Sequence, residues 1–172
     1  MTTSSSAIRR ALGALLLTIS ALNAQVVINE LHYDPESKTE PVEFIELYNA
    51  SAEAVDLSGW QFSNGIDYTF PAGSSLIGGA YLVIAENIAA YNSKFGSIFV
   101  GGLRASGEFA EGSSLSNDGE RVALRDDQGG LIDDVNYGVG FPWPTASQGE
   151  PDPDTGDGVS MELIHPSLDN DL

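Results

Sequence analysis

The densest group of metal-ligand side chains in the sequence is an acidic run near its C-terminus. Asp152, Asp154 and Asp157 follow one another at short spacing, and Gly158 comes directly after them. Carboxylate oxygens at such spacing, with a glycine that permits a sharp turn, are the ligands that Ca²⁺ prefers. The spacing differs from that of a helix–loop–helix calcium loop, and turns select Asp and Gly for their geometry alone. The run predicts a calcium site or, as the favoured interpretation, a solvated acidic turn, and we predict no other cofactor.

A histidine with two nearby carboxylates forms the second group. Glu30 and His32 share one face of a predicted strand, and Val27, Leu31 and Tyr33 share the other, because side chains alternate with a period of two. Glu46 lies on the next strand. A histidine between carboxylates can bind a metal or act as a general base, so a hydrolase is conceivable if the three converge in a cleft. The favoured interpretation is charged pairs on a sheet surface, since no nucleophile is specified nearby.

The sequence does not support any other arrangement of catalytic residues. It contains two histidines and no cysteine, and it lacks a glycine-rich phosphate loop and a G-x-S-x-G motif. The missing cysteines exclude disulfides, thiol nucleophiles and zinc–thiolate sites. The second histidine, His165, precedes Pro166 and is expected to be exposed. We therefore predict that this protein is not an enzyme.

Three aromatic residues near the C-terminal third form a possible ligand platform. Tyr137, Phe141 and Trp143 lie among acidic neighbours, which suits cationic or carbohydrate ligands. The favoured interpretation is structural, with Trp143 closing one end of the fold.

The elements that must position these groups are mostly strands. Alternating or continuously apolar segments, separated by glycine, proline and asparagine turns, occur at residues 26–33, 42–49, 57–62, 66–70, 80–85, 98–103, 120–125, 131–137 and 159–164. One short helix is expected after a capping Asn87. Strands of this length, at roughly ten-residue spacing, predict an all-β sandwich of the immunoglobulin type.

The charge is strongly negative. The 172 residues include 25 Asp and Glu against seven Lys and Arg, for a net charge of -18. Such a field repels phosphate backbones and anionic lipids and attracts cations. Nucleic-acid binding is therefore not expected.

The N-terminus has the pattern of a secretory signal. A polar start ends in Arg9 and Arg10, an apolar run follows over residues 11–21, and Ala24 offers a small residue before a cleavage point. The apolar run is short for a membrane span, so no transmembrane segment is expected in the mature chain. We predict a signal peptide over residues 1–24 and an exported protein, in the periplasm, at the cell surface or in the medium.

Several segments, in order, resemble the lamin tail domain. They read VINELHY at 27–33, EFIELYN at 43–49, VDLSGW at 55–60, YTFP at 68–71, GAYLV at 79–83, LSNDGE at 115–120 and SMELI at 160–164. The resemblance extends over essentially everything from Val26 onward, and it implies an immunoglobulin-like domain over residues 25–172. The family pattern usually continues further than Leu172, so the resemblance also implies a C-terminal truncation.

The resemblance also sets the functional expectation. Secreted bacterial members of the family are the closer model, and the family has no catalytic residues to carry over. It implies a non-catalytic exported module that binds a protein or a cell-surface component. The alternative is an accessory domain of a larger exported enzyme, a hydrolase or a spore-coat-type kinase, whose catalytic part is missing from this chain.

Overall fold

The computed structural model describes residues 26–37, 39–96, 103–138 and 160–163. These residues form eleven strands and one helix. In chain order the elements are β1 (Val26–His32), β2 (Phe44–Asn49), β3 (Val55–Asp56), β4 (Gln61–Asn64), β5 (Tyr68–Thr69), β6 (Ser75–Leu76), β7 (Tyr81–Ala85), α1 (Ile88–Lys94), β8 (Ala105–Glu108), β9 (Gly119–Arg125), β10 (Leu131–Gly138) and β11 (Met161–Glu162).

Two sheets pack face to face. One has the strand order β11-β1-β2-β7-β8, the other has the order β10-β9-β4-β5, and a small ladder joins β3 to β6. Every pairing between the described strands is antiparallel except that of β7 with β8, which is parallel and is connected through α1. The apolar side chains between the sheets come from both, and include Ile28, Ile45, Leu47, Phe62, Val122 and Leu124. The predicted all-β sandwich is confirmed.

A β-bulge divides β1 into two halves, and the alternation of core-facing and outward-facing side chains is reversed between them. The pairing with β2 shifts register between Ile28 and Glu30. Val26 and Ile28 therefore join Leu31 in the core, whereas a strict alternation would have placed Val27 there. The prediction that Val27 shares a face with Leu31 is wrong, because alternation cannot be carried across the extra residue.

The second half of β7, residues 83–85, is covered on both faces, as its apolar sequence predicts. Ile84 points into the main core, while Val83 and Ala85 pack with Phe44 and Tyr91 in a second cluster beneath α1. The helix begins where expected, because the Asn87 side chain accepts a hydrogen bond from the Ala90 N–H at 2.9 Å.

Three predicted strands have different bounds in the structure. Residues 57–60 form a turn between β3 and β4, since Gly59 adopts a φ of 75° there. The predicted strand at 66–70 is reduced to β5. Of the predicted strand at 98–103, only Leu103 is described, and it is not in a strand; the sheet instead uses β8, whose sequence ASGE carries little apolar signal.

Candidate functional site

Three carboxylates form a lateral row on the outer face of the five-stranded sheet. Glu30 of β1 lies opposite Glu46 of β2 on one side and opposite Glu162 of β11 on the other. The row follows from the bulge, which leaves Glu30 facing away from the core. Directly opposed like charges are unfavourable, so this arrangement costs stability.

Hydrogen bonds from neighbouring side chains hold two of these carboxylates in place. The Asn29 side-chain amide donates to Glu46 Oε1 at 2.8 Å, and the Ser160 hydroxyl donates to Glu30. Partial burial raises the pKa of both glutamates, and the neighbouring carboxylates raise it further. The ion pairs that the described residues form join Lys94 to Glu40 and Arg121 to Asp134, so they do not neutralise the row.

Tyrosines flank the row on both sides. In the adjacent row of the sheet, Tyr48 lies opposite Tyr81, with ring centroids 4.6 Å apart, and Tyr81 is 47% exposed. On the other side Tyr91 of α1 has its pKa raised to about 12, by burial first and then by Glu46 and Glu30. We call the surface made by Glu30, Glu46, Glu162, Tyr48 and Tyr81 the acidic face. It combines negative charge with accessible aromatic surface, which suits a cationic ligand.

His32 does not join the two glutamates in a reactive group. It lies on the same outer face, but the residue is only 3% exposed, and its ring packs between Phe44 at 5.2 Å and Phe95 at 5.7 Å, measured between ring centroids. A general base must reach its substrate, and this ring is covered by Phe44 on the sheet and by Phe95 directly after α1. The arrangement therefore lends no support to the hydrolase hypothesis.

A cleft of about 550 Å³ opens at one end of the sandwich. Its lining includes Pro41, Glu86, Asn87, Glu108 and a loop over residues 109–114. Glu108 Oε2 accepts a hydrogen bond from the Ile88 N–H at 2.8 Å and so supports the start of α1. Glu86 and Glu108 give the cleft a negative wall.

A buried carboxylate lies beside this cleft loop. Glu43 directly precedes β2, is 7% exposed, and accepts a hydrogen bond from the Leu115 N–H at 2.7 Å. Burial raises the pKa of Glu43 to about 7 against the opposing effect of that hydrogen bond, and the carboxylates of Glu86, Glu120 and Asp34 raise it further.

Asp152, Asp154 and Asp157 lie outside the described residues, as do Phe141, Trp143 and His165. Tyr137 is described and is buried in the core, where its hydroxyl donates to the Ser116 carbonyl at 2.7 Å. Among residues 26–37, 39–96, 103–138 and 160–163, no group of three or more His, Asp or Glu side chains is arranged to hold a metal ion.

Comparison with known protein families assigns the fold. The family model of the lamin tail domain matches residues 20–139. The chain belongs to the lamin tail domain family. A comparison with curated protein sequences finds no match. This lamin tail domain is therefore an immunoglobulin-like β-sandwich, and the resemblance seen in its sequence is confirmed. Within its described residues, no helix is long and apolar enough to cross a membrane.

Three residues of the candidate sites in this lamin tail domain, Glu43, Tyr48 and Tyr81, were not predicted from the sequence. Glu43 was recognisable, because a period of two places it on the same face as the core residues Ile45 and Leu47. Tyr48 and Tyr81 carried a weaker signal, since their contact depends on the pairing of two strands that are distant in the chain.

Proposed function

We propose that this lamin tail domain is an exported, non-catalytic binding module that attaches to a protein or a cell-surface component through its acidic face. The observation that carries the proposal is the lateral row of Glu30, Glu46 and Glu162 beside the exposed Tyr81 ring. A cationic group placed over this row would offset the repulsion that the free domain retains.

The domain's charge supports the same partner chemistry. The full chain has a net charge of -18, which accelerates the approach of cationic surfaces and repels anionic ones. The tyrosine pair adds directional contacts, because a Lys or Arg side chain can sit against an aromatic ring while its charge faces a carboxylate. Protein segments rich in Lys or Arg are therefore the preferred ligands.

The experiment measures binding of hexalysine to the full chain by calorimetry at two salt concentrations. The test variant carries Glu30→Gln, Glu46→Gln and Glu162→Gln. The matched control carries Glu53→Gln, Asp118→Asn and Asp127→Asn, which remove the same charge from exposed sites elsewhere. We expect the test variant to lose at least about tenfold in affinity and the control to lose little. Equal losses in both variants would show that only net charge matters and would contradict the proposal.

Export has its own test. The polar start, Arg9-Arg10 and the apolar run to residue 21 support a cleaved signal. We expect the protein recovered outside the cytoplasm to begin near Gln25, as measured by intact mass. Recovery only as the uncleaved chain inside the cell would contradict export without affecting the binding experiment.

A further inference from the structure

The contact between Glu43 and Leu115 fastens the cleft loop to the sandwich. The Glu43 carboxylate and the Leu115 N–H belong to segments 72 residues apart, and their 2.7 Å hydrogen bond is buried. Leu115 itself is 3% exposed and belongs to the main core. The loop over residues 109–114 lines the cleft and ends at this contact.

The other end of the loop is fastened by the backbone. The Phe109 N–H donates to the Ala85 carbonyl at 2.9 Å, and the Ala110 N–H donates to the Asp67 carbonyl at 2.8 Å. These bonds involve no titratable group. The two ends of the loop therefore differ, because the Phe109 and Ala110 bonds join backbone groups, whereas the Leu115 N–H donates to the buried carboxyl group of Glu43.

Negative and ionisable groups surround Glu43. Glu86 follows β7, Glu120 lies on β9, and Asp34 follows β1, and each acts on Glu43 through its charge. Tyr137 of β10 also lies within electrostatic reach, and its pKa is raised by burial first, then by Glu120 and Glu43. A negative charge on Glu43 is therefore opposed by the charges of Glu86, Glu120 and Asp34.

We propose that Glu43 is a proton-sensitive latch, which holds the Leu115 end of the cleft loop when it is protonated and loosens it when the proton is lost. The neutral carboxyl can accept the Leu115 hydrogen bond through its carbonyl oxygen without a buried charge. The ionised carboxylate must remain desolvated among Glu86, Glu120 and Asp34 or reach water by opening the loop. The loop that lines the cleft is therefore fastened in mild acid and freer to move at higher pH.

The size of the effect follows from the pKa in the two states. If the pKa of Glu43 is about 7 with the loop closed and 4.5 with the loop open, the opening constant rises roughly 30-fold between about pH 5.5 and about pH 8. The direction is fixed by the closed state, which binds the proton more tightly and so is favoured at lower pH.

Pulse-labelling hydrogen exchange of the full chain tests the latch. Protection factors, corrected for the intrinsic pH dependence of exchange, are compared between a peptide covering residues 109–118 and a peptide covering β9. We expect protection of the loop to fall by about the fold-change above and to be lower than that of β9 at every pH, because β9 exchanges only when the whole domain unfolds. Protection of the loop that is constant with pH, or loop protection equal to that of β9 throughout, would overturn the proposal.

Two variants complete the test. Glu43→Gln keeps an acceptor for the Leu115 N–H without a titratable proton, so its loop should stay protected across the pH range. Glu86→Gln removes one neighbouring charge and should reduce the pH dependence, which tests the proposal even if the Glu43 variant fails to fold. A Glu43→Gln loop that opens with pH as the wild type does would overturn the latch.

Discussion

Glu30 and Glu46 lie directly opposite each other on antiparallel strands, with both carboxylates on the outer face of the five-stranded sheet. Both are partly buried, and both have a raised pKa. A domain selected only for stability would avoid two like charges at one cross-strand position. The pair therefore costs the free domain some stability, and a bound cationic group, as proposed above, would offset that cost.

Replacing Glu46 with glutamine should stabilise the free domain. The introduced amide oxygen would still accept the Asn29 hydrogen bond, while the repulsion from Glu30 and Glu162 would disappear. We expect the free energy of unfolding near pH 8 to rise by about 0.5–1 kcal/mol at low salt, as measured by urea denaturation. The gain should shrink as salt screens the charges, and the exposed substitution Glu53→Gln should show no such gain.

The domain should be most stable in mild acid. Glu30, Glu43, Glu46 and Glu86 all have a raised pKa, so the folded state binds protons more tightly than the unfolded state. Their contribution is fully present below about pH 4.5 and is lost as the pH rises, for Glu43 through about pH 7. Glu43 alone would contribute on the order of 3 kcal/mol to this loss.

At low pH the stability of the domain should be limited by carboxyl groups whose pKa is lowered in the folded state. Hydrogen bonds from Ser58 lower the pKa of Asp56, so its contribution is present above the ordinary pKa and is lost as the pH falls. Thermal melts over a pH series should therefore show a maximum near about pH 5 and a decline toward neutral pH. A midpoint that rises steadily up to about pH 8 would contradict this prediction.

Asn49 should be among the most sensitive polar positions. Its side chain is fully buried, its amide donates to the carbonyls of Glu53 and Leu76, and its oxygen accepts from Ser51. Asn49→Ala leaves these groups without their partner, so we expect a loss of about 2–4 kcal/mol in unfolding free energy. The same change at exposed Asn136 on β10 should stay within about 0.5 kcal/mol.

The N-terminus of α1 should depend on its cap. Asn87→Ala removes the acceptor for the Ala90 N–H and should cost about 1 kcal/mol. Asn87→Asp restores an acceptor and should recover most of that loss. The measurement is the unfolding midpoint in urea, and an equal loss in both variants would show that the side-chain amide, and not its oxygen, is what matters.

Local patterns in the sequence predict the long elements well. β2, β7, β9 and β10 carry alternating or continuous apolar residues, and each forms within a few residues of its predicted bounds. The Asn87 cap likewise predicts the start of α1. These features depend on nearest neighbours in the chain, which is the information that periodicity contains.

The features that were missed depend on tertiary pairing. β8 has almost no apolar signal and exists because β7 offers it an edge. The bulge in β1 adds a residue that no alternation reveals, so the predicted facing of Val27 was wrong. The lateral row of carboxylates was only half predicted, because Glu162 reaches Glu30 through a pairing of strands at opposite ends of the described chain.

The pairing of β1 with β11 also has a consequence for the order of assembly. Glu30 and Leu31 gain their neighbours Glu162 and Met161 from the far end of the described chain, and the Leu163 N–H adds a bond to the Asn29 carbonyl. Contacts across so long a separation form slowly. Until they form, this stretch of β1 is a bare strand edge that another molecule can occupy. A nascent or partly unfolded chain is therefore open to intermolecular strand exchange at the same position where the finished domain presents its acidic face.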